Sequence, residues 1–145
     1  MKKLILVAAL SAAFSVNAAE LGLAAGKNKS LDENVYALSL GTTLAGLKVS
    51  TEVGVAKDTF TSVGVSVGRE MRVWKFGVTP YLGGGYIQSD IKGRESGGVA
   101  TTGVEVSYPL SKSLALVGDY TYSWDVQKKT DFQGGLLTAG VRFSF

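Results

Sequence analysis

The chain has no cysteine and no histidine, only two prolines (Pro80 and Pro109), and charged side chains at 19% of its 145 positions. Without cysteine, an exported domain of this size cannot be held by disulfides and must rely on its packing or on a membrane. Without histidine, it lacks the commonest general base and the commonest transition-metal ligand, which argues against metal-assisted and most acid–base catalysis. Beyond the N-terminal 19 residues there is no apolar run of about 20 residues, so no membrane helix is expected. Yet the mean hydropathy is positive, at +0.20. That apolar surface needs a partner other than water.

The first 19 residues explain part of the charge. Lys2 and Lys3 precede an apolar run from Leu4 to Val16, and small residues follow directly up to Glu20. This is the pattern of a secretory signal peptide, too short in its apolar core to span a bilayer. The fold is therefore expected in residues 20–145. Without Lys2 and Lys3 the basic residues fall from 15 to 13 against 12 acidic ones. Such a balance implies no nucleic acid or other polyanion as partner.

What the rest of the chain does have is alternation. From Leu47 to Ala56, Leu47, Val49, Thr51, Val53 and Val55 fall on one side while Lys48, Ser50, Glu52, Gly54 and Ala56 fall on the other. Successive side chains of a strand point to opposite faces, so this segment reads as a two-faced strand. The same reading gives strands over 20–25, 35–43, 60–73, 78–91, 99–108, 114–124 and 137–145, eight in all. The facing of the 78–91 strand stays open, because both of its faces carry apolar and small residues.

Tight connections near 44–46, 74–77 and 109–113 alternate with polar ones near 26–34, 57–59, 90–98 and 125–132, all longer except the short loop at 57–59. Short turns on one side and longer loops on the other are the asymmetry of transmembrane barrels. Each polar loop balances its charges, Lys27 and Lys29 against Asp32 and Glu33, Lys57 against Asp58, Lys92 and Arg94 against Asp90 and Glu95, Lys128 and Lys129 against Asp125 and Asp131. The expected architecture is all-β, an eight-stranded antiparallel up-and-down transmembrane β-barrel. An even strand count lets the first and last strands pair and removes both sheet edges.

In that barrel the apolar face meets lipid. Tyr36, Trp74, Tyr108, Tyr120, Tyr122 and Trp124 lie near strand ends or on the outward face, where aromatic girdles are expected. The other face carries Lys48, Glu52, Glu70, Arg72, Glu105, Asp119 and Arg142 among glycines, serines and threonines. Eight strands enclose a lumen that side chains fill, so these seven form an expected interior charge network with mixed signs rather than an open pore. A gated ion path is the functional alternative for the same residues. A soluble lipocalin-like barrel, with the faces exchanged around a hydrophobic ligand, is another; the small, sparsely charged polar face weighs against it.

The final strand, with Val141, Phe143 and Phe145 on its apolar face, resembles the C-terminal strand of bacterial outer-membrane barrels. The resemblance implies that these three residues form a signal read by the outer-membrane assembly machinery. The segment Thr79-Pro80-Tyr81-Leu82-Gly83-Gly84-Gly85-Tyr86 also resembles a strand common in the small OmpA/OmpX-like barrels. That family resemblance implies a monomer in the outer membrane of a Gram-negative bacterium, in contact with lipid and lipopolysaccharide. Barrels of this kind include adhesins, anchors and lipid-modifying enzymes; those enzymes use histidine, so no catalytic residue, cofactor or metal is expected here.

Overall fold

The computed structural model describes residues 20–29, 32–57, 59–90, 92, 95–126 and 133–145; the expected signal peptide and loop residues 58, 94, 128, 129 and 131 lie outside them. The chain forms strands β1 (Glu20–Asn28), β2 (Glu33–Leu44), β3 (Leu47–Ala56), β4 (Phe60–Gly68), β5 (Met71–Val73), β6 (Phe76–Ser89), β7 (Gly97–Pro109), β8 (Leu114–Asp125) and β9 (Gly134–Ser144). Every pairing is antiparallel, and β1 pairs with β9 to close the ring. The nine strands make eight staves, because β4 and β5 lie end to end along β6. This is the closed eight-stranded barrel that the alternation predicts, with the fourth stave interrupted at Arg69 and Glu70.

Closure follows from the local chemistry. The β2–β3 hairpin turns on Ala45 and Gly46, both at positive φ (51° and 81°), the backbone of a two-residue turn that matches strand twist. The connections at 45–46, 74–75 and 110–113 lie at one end of the barrel, and those at 29–32, 57–59, 90–96 and 126–133 lie at the other, the three-residue link at 57–59 being as short as the turns. We call these the turn end and the loop end.

Register settles the facing that alternation leaves open. Gly68 pairs with Tyr81, and Tyr81 with Gly103, so Thr79, Tyr81, Gly83, Gly85 and Ile87 look inward while Leu82 and Tyr86 look outward. The expected strand 78–91 runs instead over Phe76–Ser89. Outside, the wall is apolar all round, with Leu23, Val65, Leu82, Leu116 and Leu137 among its exposed side chains. No described helix is long and apolar enough to cross a membrane. A closed sheet pairs its own backbone groups, and an apolar exterior is what such a sheet needs in lipid. The architecture is that of a transmembrane barrel.

The six aromatics expected at the girdles are all exposed, from Tyr122 at 36% to Trp74 at 81%. At the turn end Trp74, Phe76 and Tyr108 stack in series, with centroids 6.1 and 5.4 Å apart, and the Lys75 ammonium sits over the Trp74 ring. Tyr122 and Trp124 make a second tilted pair, near the loop end of β8. The two groups of rings thus lie at opposite ends of the wall, with aliphatic side chains such as Leu23, Leu82 and Leu116 between them.

Candidate functional site

The inward face is polar where the barrel is deepest. Near the turn end, Lys48 Nζ approaches Glu105 Oε1 at 2.7 Å and Glu20 Oε2 at 3.2 Å. The Arg142 guanidinium donates to the same Glu105 oxygen and lies 3.7 Å from both Glu20 and Glu70. Lys48 and Arg142 are each only 8% exposed. Two enclosed cations thus share three carboxylates, from strands β1, β3, β7 and β9 and the β4–β5 break. Register brings them together: Lys48 opposes Gly68 on β4, and Glu105 opposes Thr79 on one side and Asp119 on the other.

Glu20 is part of this cluster although sequence reasoning did not single it out. It is the first residue of β1, and at the start of a strand alternation gives too few repeats to assign a face. Its signal was available in the pairing of the terminal strands, which sets Glu20 two residues from the Arg142 level.

Arg72 departs from the expectation. Its parity is inward, opposite Gly77, but β4 ends at Gly68 and the β3–β4 ladder ends at Lys48, so β5 extends past the closed ring. Arg72 is exposed there and forms no ion pair among the described residues. The interior network therefore has two cations, not three. Glu70 is likewise at the rim, with its side chain 38% exposed, but reaches back to Arg142.

The other two expected members stand apart from the cations. Asp119 Oδ1 accepts hydrogen bonds from Tyr81 Oη at 2.9 Å and Thr121 Oγ1 at 2.6 Å, and the two hydroxyl oxygens lie 2.5 Å apart. Glu52 lines the internal cavity within electrostatic reach of Asp119 and Glu105. The enclosed carboxylates outnumber the enclosed cations, so hydroxyls and cavity water must satisfy what salt bridges do not. Tyr81 reaches Asp119 because Gly103 leaves room: a Cβ there would collide with the Tyr81 ring. Tyr81→Phe removes one of two donors to Asp119, and we expect a loss of about 1–2 kcal/mol. Denaturant midpoints of the reconstituted barrel measure it; an unchanged midpoint would mean that water serves Asp119 equally well.

Toward the loop end the lumen changes character. Val35, Ala56, Phe60, Ile87 and Val99 form a buried apolar cluster with Leu136 packed against it, Val35 being 1% exposed. These inward apolar residues break the polar-inside pattern. Between this plug and the ion-paired cluster lies a cavity of about 170 Å³, touching Phe60 and Leu136 at one end and Glu52, Asp119 and Arg142 at the other. It has room for several waters. Among the described residues no group of three or more acidic side chains is arranged to hold a metal ion.

A closed antiparallel barrel with an apolar exterior and a side-chain-filled lumen defines a small transmembrane β-barrel, and solved structures share this fold. The N-terminal β-barrel domain of Pseudomonas aeruginosa OprF superposes with a TM-score of 0.65 at 16% identity, over 87% of this chain and 96% of that one. Neisserial surface protein A (NspA) gives 0.62 at 18%, over 87% and 94%. The Yersinia pestis outer membrane protein Ail gives 0.56 at 12%, over 88% and 99%. All are small barrels of the OmpA/OmpX-like kind, and at these identities the likeness is one of fold. No protein-family model matches the chain. No curated protein sequence matches it either.

Proposed function

We propose that this protein is an integral outer-membrane β-barrel whose role is structural and surface contact, made through its loop-end rim, with no open pore and no catalysis. The observation that carries this reading is that side chains occupy the lumen at two levels, the apolar cluster around Phe60 and the Lys48–Glu105–Arg142 ion pairs. In this reading a solute would have to part both. Surface contact follows from the rim, where Lys27, Lys29 and Lys92 stand among carboxylates that balance them. Basic groups there can meet lipopolysaccharide phosphates, and carboxylates can meet the divalent ions that bridge them. Insertion by the outer-membrane assembly machinery, reading Val141, Phe143 and Phe145, belongs to the same proposal, as does a monomeric state.

The test begins with cell fractionation and electrophoresis. The protein is expected in the outer membrane and to migrate faster in SDS before boiling than after it. In planar bilayers it should give no sustained conductance. Steady ohmic currents that disappear when Glu52 is replaced would favour the channel reading instead, since Glu52 lines the cavity and stands apart from the ion pairs. A soluble periplasmic protein with no heat shift would overturn the membrane assignment.

A further inference from the structure

The outer wall has a depression. At one level the outward side chains of four neighbouring strands are Tyr36 on β2, Ala25 on β1, Ala139 on β9 and Gly118 on β8, set side by side by the register. One level toward the turn end the wall is filled again by Leu23, Val141 and Leu116, and one level toward the loop end it carries Lys27, Leu137 and Tyr120. The three small residues form the floor of an open groove of about 740 Å³ edged by Tyr36, Leu137 and Lys27. Neighbouring side chains do not fold over it. A Cβ on Gly118 would have nothing within 4 Å, whereas Tyr120 leans the other way, its Oη lying 2.6 Å from where a Cβ of Gly135 would be.

The edge facing the loops is basic. Lys27 stands directly above Ala25 on the same outward face, and Lys29 places its ammonium 5.9 Å from the centre of the Tyr120 ring. Lys27 pairs with Asp32 at 2.7 Å, but the two side chains are 58% and 86% exposed. An exposed pair of this kind is weak and yields readily to a stronger anion. Ala25 lies three residues below the end of β1, a drop of about 10 Å along the strand. That is the offset between a lipid's phosphate and the upper part of its acyl chains.

We propose that this groove holds one phosphorylated lipid of the loop-end leaflet, an acyl chain lying over Ala25, Ala139 and Gly118 and the phosphate meeting Lys27 and Lys29. The occupant is a lipid rather than free phosphate, because the apolar floor and the basic edge are parts of one surface. This rests on the reading of the protein as a membrane barrel with its loop-end rim in the headgroup region. It adds to it a particular site, a headgroup chemistry and a stoichiometry.

Native mass spectrometry of the folded full barrel, titrated in detergent with dipalmitoyl phosphatidic acid or with dipalmitoylglycerol, tests it. The two probes share their chains and differ in the phosphate. One phosphatidic acid should bind about tenfold or more tightly than the diacylglycerol, the scale of one good charge-assisted contact. Gly118→Leu places a side chain in the groove from a position whose Cβ has no neighbouring atom within 4 Å, so it should fold normally and weaken phosphatidic acid by about tenfold, the worth of roughly two lost methylene burials. The double variant Lys27→Gln/Lys29→Gln should abolish the preference between probes and leave diacylglycerol binding unchanged. Wild-type affinity in Gly118→Leu, or equal binding of the two probes by the wild type, would overturn the proposal. Capture of lipopolysaccharide vesicles by the same proteins separates this from the broader reading. Capture that persists while the groove variant binds like wild type sinks the groove alone, and absence of capture by the wild type sinks the rim-contact reading.

Discussion

Arg142→Met is expected to lower the stability of the barrel by about 3–5 kcal/mol, the cost of removing one partner from an enclosed ion-paired cluster. In urea this moves the unfolding midpoint down by about 1.5 M or more, taking a slope near 2 kcal/mol/M. The argument is one of charge left behind. Arg142 is 8% exposed and serves Glu105, Glu20 and Glu70 together. Without it, Lys48 alone faces two enclosed carboxylates. Arg142→Lys keeps the charge but not the planar fork that reaches several carboxylates, so it should fall between the two. Arg72→Met is the control: exposed and outside the network, it should change stability by no more than about 0.5 kcal/mol.

A second substitution distinguishes attraction from mere filling. If the cost of Arg142→Met comes from stranded carboxylates, then adding Glu105→Gln should recover part of it, because the acceptor shared by Lys48 and Arg142 no longer carries a charge. The interaction energy in that double-mutant cycle should be on the order of 1–3 kcal/mol. Strictly additive costs, measured by the same urea titrations, would mean that cavity water solvates each group separately and that the cluster is not a cooperative unit.

How much of this could be read beforehand follows from what alternation encodes. Parity within a strand assigns faces, so Lys48, Glu52, Glu105, Asp119 and Arg142 could be placed inside and Tyr36, Tyr108 and Tyr120 outside. Parity says nothing of height along the barrel. Arg72 has the inward parity of a network member but sits beyond the last β3–β4 pair, where the ring is no longer closed and water is at hand. Height also decides which interior groups meet: Asp119 is level with Glu105 and Thr138, and its partners are hydroxyls instead of a cation. The apolar plug was hidden for a different reason. Val35, Phe60, Ile87 and Val99 each stand near the loop end of a strand, where one inward apolar residue does not disturb the pattern of its own strand. Only register reveals that they converge. For β6 no parity could be read, since Gly83, Gly84 and Gly85 fall on both faces; the neighbours' register, through Tyr81 opposite Gly68 and Gly103, supplies it.

Gly140→Val is expected to prevent stable closure of the barrel. Gly140 lies on β9 opposite Ala24 in the pairing that joins the last strand to the first. A Cβ there would overlap the Leu23 carbonyl oxygen and the Ala24 Cα, both backbone atoms of β1 that cannot swing aside as a side chain does. Gly26, on the opposite strand of the same seam, is confined in the same way by the backbone of Leu137 and Thr138. The two strands approach so closely that neither tolerates a side chain at these inward positions. Relief requires the seam to part, and an open seam exposes unpaired N–H and C=O groups to hydrocarbon, where each costs several kcal/mol. The destabilisation should exceed about 3 kcal/mol, the upper range of ordinary overpacking. Its readout is the heat-modifiable band: Gly140→Val should lose the fast-migrating unboiled form, while Gly118→Val, on the lipid-facing side of the neighbouring strand with open space around it, should keep it. Retention of the fast band by Gly140→Val would mean that β1 and β9 can slide or separate locally while the barrel stays closed.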